Sequence, residues 1–438
     1  MKRFSYLFGA IALASMVSCS SDEIVSSKDD GATLSKQSIS FAPLATNVTR
    51  STVYSTTSMF TNFRVVGMWQ DPVTEAYIDG DHYATAAADG VDQVWTTAPA
   101  ANGLYQKFAN IHAGSTLAGL EIVSSGTGWD YKNQSEIEYW PYSATKDAND
   151  KITGYNCLAL NFRAVTPANT KLDLSGATPA AFAYETPDVA DMVDICYAEA
   201  TGKTVTDAPV QMQFHHLLSQ VVFKAKKASN YVVDIKDITI NGIKTKVDGY
   251  PYAQFKTSGI CLSGVDNVNL TVNKQFKGFT SASYKSIPDQ EAKDSPAEMT
   301  PSGQELLLLP QEISKWVPDG TTKATDAANA AAGWISITYR AKTSEATTWA
   351  TSQENDGFKT VYFPITVKWA SGKKYIYTLL FGGVTNPDDP ENPDPDDPNN
   401  PDPDNPYDED GHPEAPSVPI TFTADVDDWA ESIVDVDF

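Results

Sequence analysis

The stretch Val233-Asp234-Ile235-Lys236-Asp237-Ile238-Thr239-Ile240 places an apolar side chain at nearly every second position. A period of two predicts a β-strand with one face buried. Similar runs, rich in the Thr, Tyr and Val that strands prefer, recur along the chain at residues 39–41, 157–163, 211–227, 334–340, 360–369 and 374–381. Segments rich in Gly, Asn, Asp and Ser separate these runs, and they are typical of turns. The sequence therefore predicts an all-β protein.

Many short strands with turn signals between them favour antiparallel β-sandwiches over a parallel α/β sheet. The strand-rich body, residues 38–384, is longer than one sandwich usually requires. We therefore expect two antiparallel β-sandwich domains, at residues 38–207 and 208–384.

The amino terminus has the pattern of a secreted lipoprotein. Lys2 and Arg3 precede an apolar stretch, residues 4–17, that is too short to cross a membrane. Small residues then lead to Cys19, as at a bacterial lipoprotein cleavage site. We expect a signal peptide at residues 1–18, acylation of Cys19 with palmitate among the lipids, and a polar tether at residues 19–37. A plain secretory signal with an incidental cysteine is the alternative.

Charge is distributed unevenly along the chain. The 438 residues include 56 acidic and 32 basic side chains, for a net charge of −24, and residues 385–438 hold 18 of the acids and no Lys or Arg. Such a balance argues against a nucleic-acid partner, because phosphate binding requires a basic surface. Residues 385–419 hold 11 prolines, so we predict a disordered Pro/Asp-rich linker there. A calcium site is the alternative, although its acids miss the EF-hand spacing (Asp402, Asp404, Asp408 and Asp410).

The last segment, residues 420–438, reads as a β-strand with one break in its alternation. Its apolar positions are Ile420, Phe422, Val426, Trp429, Val434, Val436 and Phe438. A strand at the end of a linker has to pair with a sheet, either its own or that of another molecule. The first strand has the same Ile-x-Phe pattern, at Ile39 and Phe41, and Arg50 follows it in a polar stretch accessible to a protease.

Catalytic and metal-binding patterns are missing from the sequence. Beyond Cys19, the cysteines Cys157, Cys196 and Cys261 lack metal-ligand spacing and are interpreted mainly as buried thiols. His215 and His216 are adjacent in a predicted strand, so their side chains point to opposite faces, and at least one is expected to be a core histidine. We predict no enzymatic activity, no metal and no cofactor. The abundant aromatic residues are expected mainly to pack the sandwiches, with a glycan-binding platform as the alternative.

These features together resemble the fimbrillin family of Bacteroidetes, including the Mfa-like fimbrillins of type V pili. The matching segments are Cys19 with its preceding residues, 39–41, 49–50, 191–193, 213–221, 306–311, 373–377 and the closing Ile-x-Phe segment with Trp429. Each motif is loose, but together they span nearly the whole mature chain.

The resemblance implies two transthyretin-like sandwiches and a lipoprotein of the outer membrane and cell surface. It implies a trypsin-like protease that cuts after an arginine, here Arg50, and frees the groove of the strand at 39–44. The donor strand of a neighbouring subunit, residues 420–438, would then fill this groove. The expected function is a fimbrial subunit that contributes to adhesion. The alternative is a lipid-anchored binding module or tip adhesin that recognises a glycan or host protein without polymerising. Pairing of the terminal strand with its own sheet also stays open, because the linker is long.

Overall fold

The structure is a computed structural model of the chain. It describes residues 34–35, 37–45, 61–69, 75–79, 82–85, 106–107, 119–125, 128–170, 174, 181–251, 270–289, 295–301, 304–325, 332–383, 406–414, 416 and 418–428. Nearly all regular structure in these ranges is β-strand, which confirms the all-β prediction. Within them, no helix is long and apolar enough to cross a membrane.

The first part of the chain contributes thirteen described strands to the fold. They are β1 (Phe41–Ala45), β2 (Asn62–Trp69), β3 (Glu75–Asp79), β4 (His82–Thr85), β5 (Gln106–Lys107), β6 (Leu120–Ser124), β7 (Trp129–Tyr131), β8 (Tyr142–Lys146), β9 (Ile152–Cys157), β10 (Leu160–Thr166), β11 (Ala181–Glu185), β12 (Cys196–Lys203) and β13 (Val210–His216). One sheet has the order β1-β13-β12-β10-β2-β6-β7, with β5 beside β2, and a second has the order β4-β3-β8-β9. Strand β1 therefore lies at a sheet edge.

Eleven further described strands build the second part of the chain. They are β14 (Ser219–Lys227), β15 (Tyr231–Pro251), β16 (Leu270–Ser286), β17 (Ala297–Glu298), β18 (Leu306–Leu308), β19 (Gln311–Ile313), β20 (Trp334–Thr343), β21 (Lys359–Pro364), β22 (Val367–Trp369), β23 (Lys373–Phe381) and β24 (Ile420–Asp428). One sheet has the order β11-β15-β20-β21, with β16 beside β15, and another has the order β17-β14-β23-β24, with β18 beside β14. Strands β19 and β22 form a small separate ladder.

Strand β15 contains the alternating stretch and lies in the interior of its sheet. It pairs antiparallel with both β16 and β20, and its register shifts next to Lys236, where two polar residues follow each other. The apolar side chains Ile235, Ile238 and Ile240 are fully buried. The bulge keeps these residues on one face although the sequence period is interrupted.

Two large hydrophobic clusters, and a smaller third one around Trp316 and Trp334, form the interior of the described structure. The first contains Phe41, Phe162 and Phe214 among others, and the second joins the inner faces of the two sheets built around β15 and β23 as a β-sandwich. Phe214 is the last residue of the chain in the first cluster, and every later member of these two clusters, from Leu217 onwards, belongs to the second. Strand β13 belongs to the sheet of the first part, so that sheet extends beyond the boundary expected at residue 207.

The sequence run at 211–227 is two strands in different sheets rather than one. Strand β13 directs Met212 and Phe214 into the first cluster, whereas Leu217 and Leu218 already belong to the second. Two consecutive leucines break the period of two at this point. After that break the chain contributes no further residue to the first core.

Part of the predicted linker is folded, which corrects the expectation of disorder throughout residues 385–419. Residues 406–414 form a turn on the outer face of the sandwich. Tyr407 exchanges two backbone hydrogen bonds of 2.9 Å with Tyr362, and its ring lies 6.1 Å from that of Trp316. One aromatic side chain gives this otherwise polar segment an apolar anchor, which offsets the entropy cost of ordering it.

The acids of this turn that were considered as calcium ligands have partners within the protein. Asp408 accepts a hydrogen bond of 2.8 Å from the backbone N–H of His412, and Asp410 lies 2.7 Å from the ammonium group of Lys323. Asp402 and Asp404 lie outside the described residues.

Candidate strand-exchange site

The first edge segment, residues 37–45, forms backbone hydrogen bonds with two different parts of the chain. The backbone N–H of Ile39 donates to the carbonyl of Glu138 at 2.7 Å, and that of Trp140 donates to the carbonyl of Gln37 at 2.9 Å. Beyond this point β1 turns to pair in parallel with β13, beginning opposite Val210. The segment thus closes the first sheet through one isolated bridge, between Ser38 and Tyr139, and a five-residue ladder with β13.

Ile39 and Phe41, the predicted anchors of this segment, are both buried. The ring of Phe41 makes edge contacts with Phe162 and Phe63, at centroid distances of 5.4 and 6.1 Å. Tyr131 covers the other side, with its ring 6.4 Å away. If the segment left, an aromatic groove would open at the edge of the sheet.

Two tyrosines bind the same segment through their hydroxyl groups. Tyr131 donates to the carbonyl of Ile39 at 2.9 Å, and Tyr142 donates to the side-chain oxygen of Gln37 at 3.3 Å. Burial raises the pKa of Tyr131 well above its usual value and that of Tyr142 to about 12. Both phenols therefore stay protonated donors at neutral pH.

The terminal strand β24 pairs with the chain's own sheet. It forms an antiparallel ladder with β23 that runs from Ile420 opposite Phe381 to Asp428 opposite Lys373. A hydrogen bond of 2.8 Å from the N–H of Gly382 to the carbonyl of Pro419 closes the end of this ladder. The sequence left open whether this strand pairs with its own sheet or with that of another molecule. In the structure it pairs with its own sheet.

The apolar positions of β24 are buried at its start and exposed towards its end. Ile420 and Phe422 belong to the second core, and the ring of Phe422 lies 4.9 Å from that of Phe363. Val426, in contrast, is 43% exposed. The first half of the strand therefore contributes most of the packing, and the second half depends more on backbone pairing.

Charged residues face each other along the outer half of this ladder. Lys374 lies directly opposite Asp427. Directly opposed unlike charges on neighbouring strands stabilise the pairing. Asp427 of the terminal segment thus favours this register on the chain's own sheet.

Several predicted site residues lie outside the described residues. These are the acylation candidate Cys19, the cleavage candidate Arg50 and the four outermost apolar positions of the terminal segment, Trp429, Val434, Val436 and Phe438. For all of them the sequence interpretation stays a prediction.

A polar cluster that the sequence analysis missed lies between the two cores. Asp194, Cys196 and His216 are buried together, with His216 Nδ1 2.7 Å from a carboxylate oxygen of Asp194. The prediction of a core histidine is thereby confirmed for His216. The available signal was the spacing of Asp194 and Cys196, two residues apart on one face of an extended segment. Without the pairing of β12 and β13, nothing in the sequence joined them to a histidine twenty positions later.

Comparison with known proteins identifies one family and a number of remotely similar structures, among them two fimbrial proteins. A model of the fimbrillin-like family matches residues 120–389, which is more than half of the chain. No curated protein matches the chain.

The first similar structure is a fimbrial protein from Bacteroides vulgatus, with 14% identity, a TM-score of 0.39 and coverage of 71% of this chain and 85% of that one. The second is the tip fimbrial protein Mfa3 from Porphyromonas gingivalis with a C-terminal truncation. It has 8% identity and a TM-score of 0.32, and the match covers 88% of this chain and 99% of that one.

Proposed function

This chain belongs to the fimbrillin-like family, and from that premise we propose that it is a subunit or accessory component of a cell-surface fimbria, assembled by protease-triggered donor-strand exchange. In this proposal Cys19 carries the lipid that attaches the exported chain to the outer membrane. A trypsin-like protease then cuts after Arg50 and releases the segment that contains β1. The partners are other subunits of the same fimbria, and the assembly contributes to adhesion.

The proposal is supported chiefly by the matching environments of two edge strands. Ile39 and Phe41 in the first segment and Ile420 and Phe422 in the last are all buried, and each phenylalanine contacts further aromatic rings. Strands β1 and β24 each end a sheet. An Ile-x-Phe strand that fits one aromatic groove has the side chains required to enter a similar groove in a second molecule.

Exchange requires that β24 leave its own sheet, and the chain length between the last two strands permits this. Strand β23 ends at Phe381 and β24 begins at Ile420, whereas two residues suffice to connect an antiparallel hairpin. Residues 382–419 have a maximum extended length on the order of 100 Å. A neighbouring subunit is therefore within reach of β24 without any change in β23, once the turn at residues 406–414 detaches from Tyr362 and Trp316.

The proposal is tested by polymerisation of the purified full chain after limited trypsin treatment. The wild-type chain should form a ladder of oligomers, whereas deletion of residues 420–438 should abolish it. Arg50→Ala should trap the monomer. Lys36→Ala is the matched control, because cleavage at Lys36 leaves Ile39 and Phe41 in place and its loss should not matter. Undiminished polymer from the truncated chain would contradict the proposal.

Mass spectrometry of the mature surface form examines the processing step separately. A chain that begins at Ser51 agrees with cleavage after Arg50, whereas one that begins at an acylated Cys19 retains its first strand. The second result would favour an anchored component over a polymerising subunit.

A second candidate function, a surface adhesin that binds a ligand without polymerising, is favoured by one aromatic cluster. The guanidinium group of Arg340 lies 4.1 Å from the ring of Trp349, 4.4 Å from that of Tyr284 and 4.7 Å from that of Phe358. Tyr284 is 43% exposed, and Asp234 holds the guanidinium group at 2.8 Å. Partly exposed aromatic rings beside fixed polar groups are typical of glycan-binding surfaces.

This candidate is tested by binding of the full chain to immobilised glycans. Tyr284→Ala should abolish binding if the cluster is the platform, and Tyr362→Ala, at the aromatic contact with Tyr407, serves as the control. Binding that is equal in the wild type and in Tyr284→Ala would exclude the cluster.

A further inference from the structure

Three side chains with metal-binding atoms meet in the interior where the two cores adjoin. Asp194, Cys196 and His216 are 0%, 4% and 5% exposed. A carboxylate oxygen of Asp194 lies 2.7 Å from His216 Nδ1 and 3.5 Å from Cys196 Sγ, and this sulfur lies 3.5 Å from the same nitrogen. Three different ligand types thus converge on one point.

Backbone pairing fixes this arrangement. Cys196 begins β12 and lies directly opposite His216, the last residue of β13, in an antiparallel ladder. Asp194 precedes Cys196 by two residues, so both side chains extend from the same face. Ile195 and Tyr197, which alternate with them, pack into the second core, whereas Cys196 packs into the first. The three donors are therefore held by rigid elements.

One carboxylate oxygen of the cluster is buried without a compensating interaction in the described structure. Oxygen Oδ1 of Asp194 is fully buried and has no hydrogen-bond partner among the described residues. A buried polar atom left without a partner destabilises the folded state, and more so when it is charged. A cation at this point would stabilise the Asp194 carboxylate and a Cys196 thiolate in their anionic forms.

We propose that Asp194, Cys196 and His216 form a structural metal site that takes zinc. Zinc binds thiolate, imidazole and carboxylate ligands together, with bond lengths of about 2.3 Å to sulfur and 2.0–2.2 Å to nitrogen and oxygen. Thiolate and carboxylate together balance the charge of the ion, so that the buried assembly is neutral. When the carboxylate binds through both oxygens, the second oxygen of Asp194 supplies a fourth donor close to the first, and the coordination is then a distorted tetrahedron.

The donor positions need little adjustment to accept the ion. Tetrahedral angles at those bond lengths separate sulfur from nitrogen or oxygen by about 3.5 Å, and nitrogen from oxygen by about 3.3 Å. The two sulfur distances already have this value. Only the contact of Asp194 with His216, at 2.7 Å, has to open, by roughly half an ångström.

A metal at this position would tie β12 to β13 where the chain passes between the cores. The ion would be released when the strands separate, so its binding free energy would add to the stability of the folded chain. This role does not depend on strand exchange and applies to the monomer.

The test uses the full chain, refolded either with EDTA or with one equivalent of zinc or cobalt, because a buried site fills most readily during folding. Zinc is counted by mass spectrometry after dialysis, and cobalt is followed by its absorption spectrum. We expect one zinc per chain, a higher melting temperature than with EDTA, and a thiolate-to-cobalt charge-transfer band. Cys196→Ser should remove that band and weaken zinc binding at least ~10-fold.

Cys157→Ser is the matched control, because Cys157 is a free thiol outside the cluster and its loss should leave the band unchanged. Asp194→Asn, which keeps the shape of the side chain, should also weaken zinc binding. A wild-type chain that folds equally well without retaining zinc would overturn the proposal. So would a charge-transfer band that persists in Cys196→Ser. If Cys196→Ser does not fold, the wild-type zinc count and melting shift decide alone.

Discussion

The ring of Phe422 packs edge-on against the ring of Phe363, with centroids 4.9 Å apart and planes inclined by 63°. Phe363 lies in β21 and Phe422 in β24, so the contact joins the two sheets of the second sandwich. Strand β24 is thus held by core packing as well as by its ladder with β23. Its release for exchange has to overcome both.

Phe422→Ala should destabilise the folded chain by ~3–5 kcal/mol, because the truncation removes a fully buried aromatic ring and leaves a cavity. Urea unfolding of the full chain measures this loss. Val426→Ala, on the same face of the same strand but 43% exposed, is the control and should change stability by no more than about 0.5 kcal/mol. Equal effects of the two substitutions would show that β24 does not pack in this way.

Lys374→Glu should weaken the pairing of β24 with β23, because it places a like charge directly opposite Asp427. Reversing a directly opposed pair costs about 1 kcal/mol or less, and salt reduces the effect by screening. Unfolding in urea at low and at high sodium chloride concentration measures the loss of stability and its dependence on salt. The double variant Lys374→Glu/Asp427→Lys restores opposite charges and should recover the lost stability. A double variant no better than the single one would contradict the register.

Phe41→Ala should loosen the first edge segment, because its ring fills the space between Phe162, Phe63 and Tyr131. The expected loss is ~3–5 kcal/mol of folding free energy, together with faster trypsin cleavage between the segment and β2. Ser40→Ala keeps the carbonyl that accepts the hydrogen bond from Val210 and should behave as the wild type. Time courses of cleavage on gels compare the three chains, and identical rates would count against an anchoring role for Phe41.

The fold class could be predicted from the sequence because a period of two is a local property. Alternation around Ile235 and Ile240 depends only on neighbouring residues, and these positions are buried as expected. The same alternation identified Ile39 and Phe41, and Ile420 and Phe422, as the apolar positions of their strands, and all four are buried in the structure. Local patterns report which face of a strand is covered, but not which strand covers it.

Features that depend on distant pairing could not be predicted. The proximity of Asp194 to His216 requires the register of β12 against β13. The docking of Tyr407 on Trp316 and Tyr362 requires three separate segments to meet. Composition correctly described the linker as poor in apolar residues, but a single aromatic ring was enough to order its end. Pairing of β24 with its own sheet was likewise a choice between two partners with similar local chemistry.

Acid should weaken the turn that begins at Asp319, because this carboxylate is stabilised in its charged form. The hydroxyl of Thr321, followed by the backbone N–H groups of Thr321 and Thr322, lowers the pKa of Asp319 to about 2. A carboxyl group with a folded pKa below its unfolded value contributes stability above about pH 4, and this contribution disappears as the pH falls towards 2. Carbon NMR of the side-chain carboxyl group should therefore show titration near pH 2. Thr321→Val removes the hydroxyl donor but keeps the backbone N–H, so it should move the midpoint upwards. Thr347→Val, an exposed substitution elsewhere, should leave the midpoint unchanged. An ordinary midpoint near 4 in the wild type would mean that these hydrogen bonds do not persist in solution.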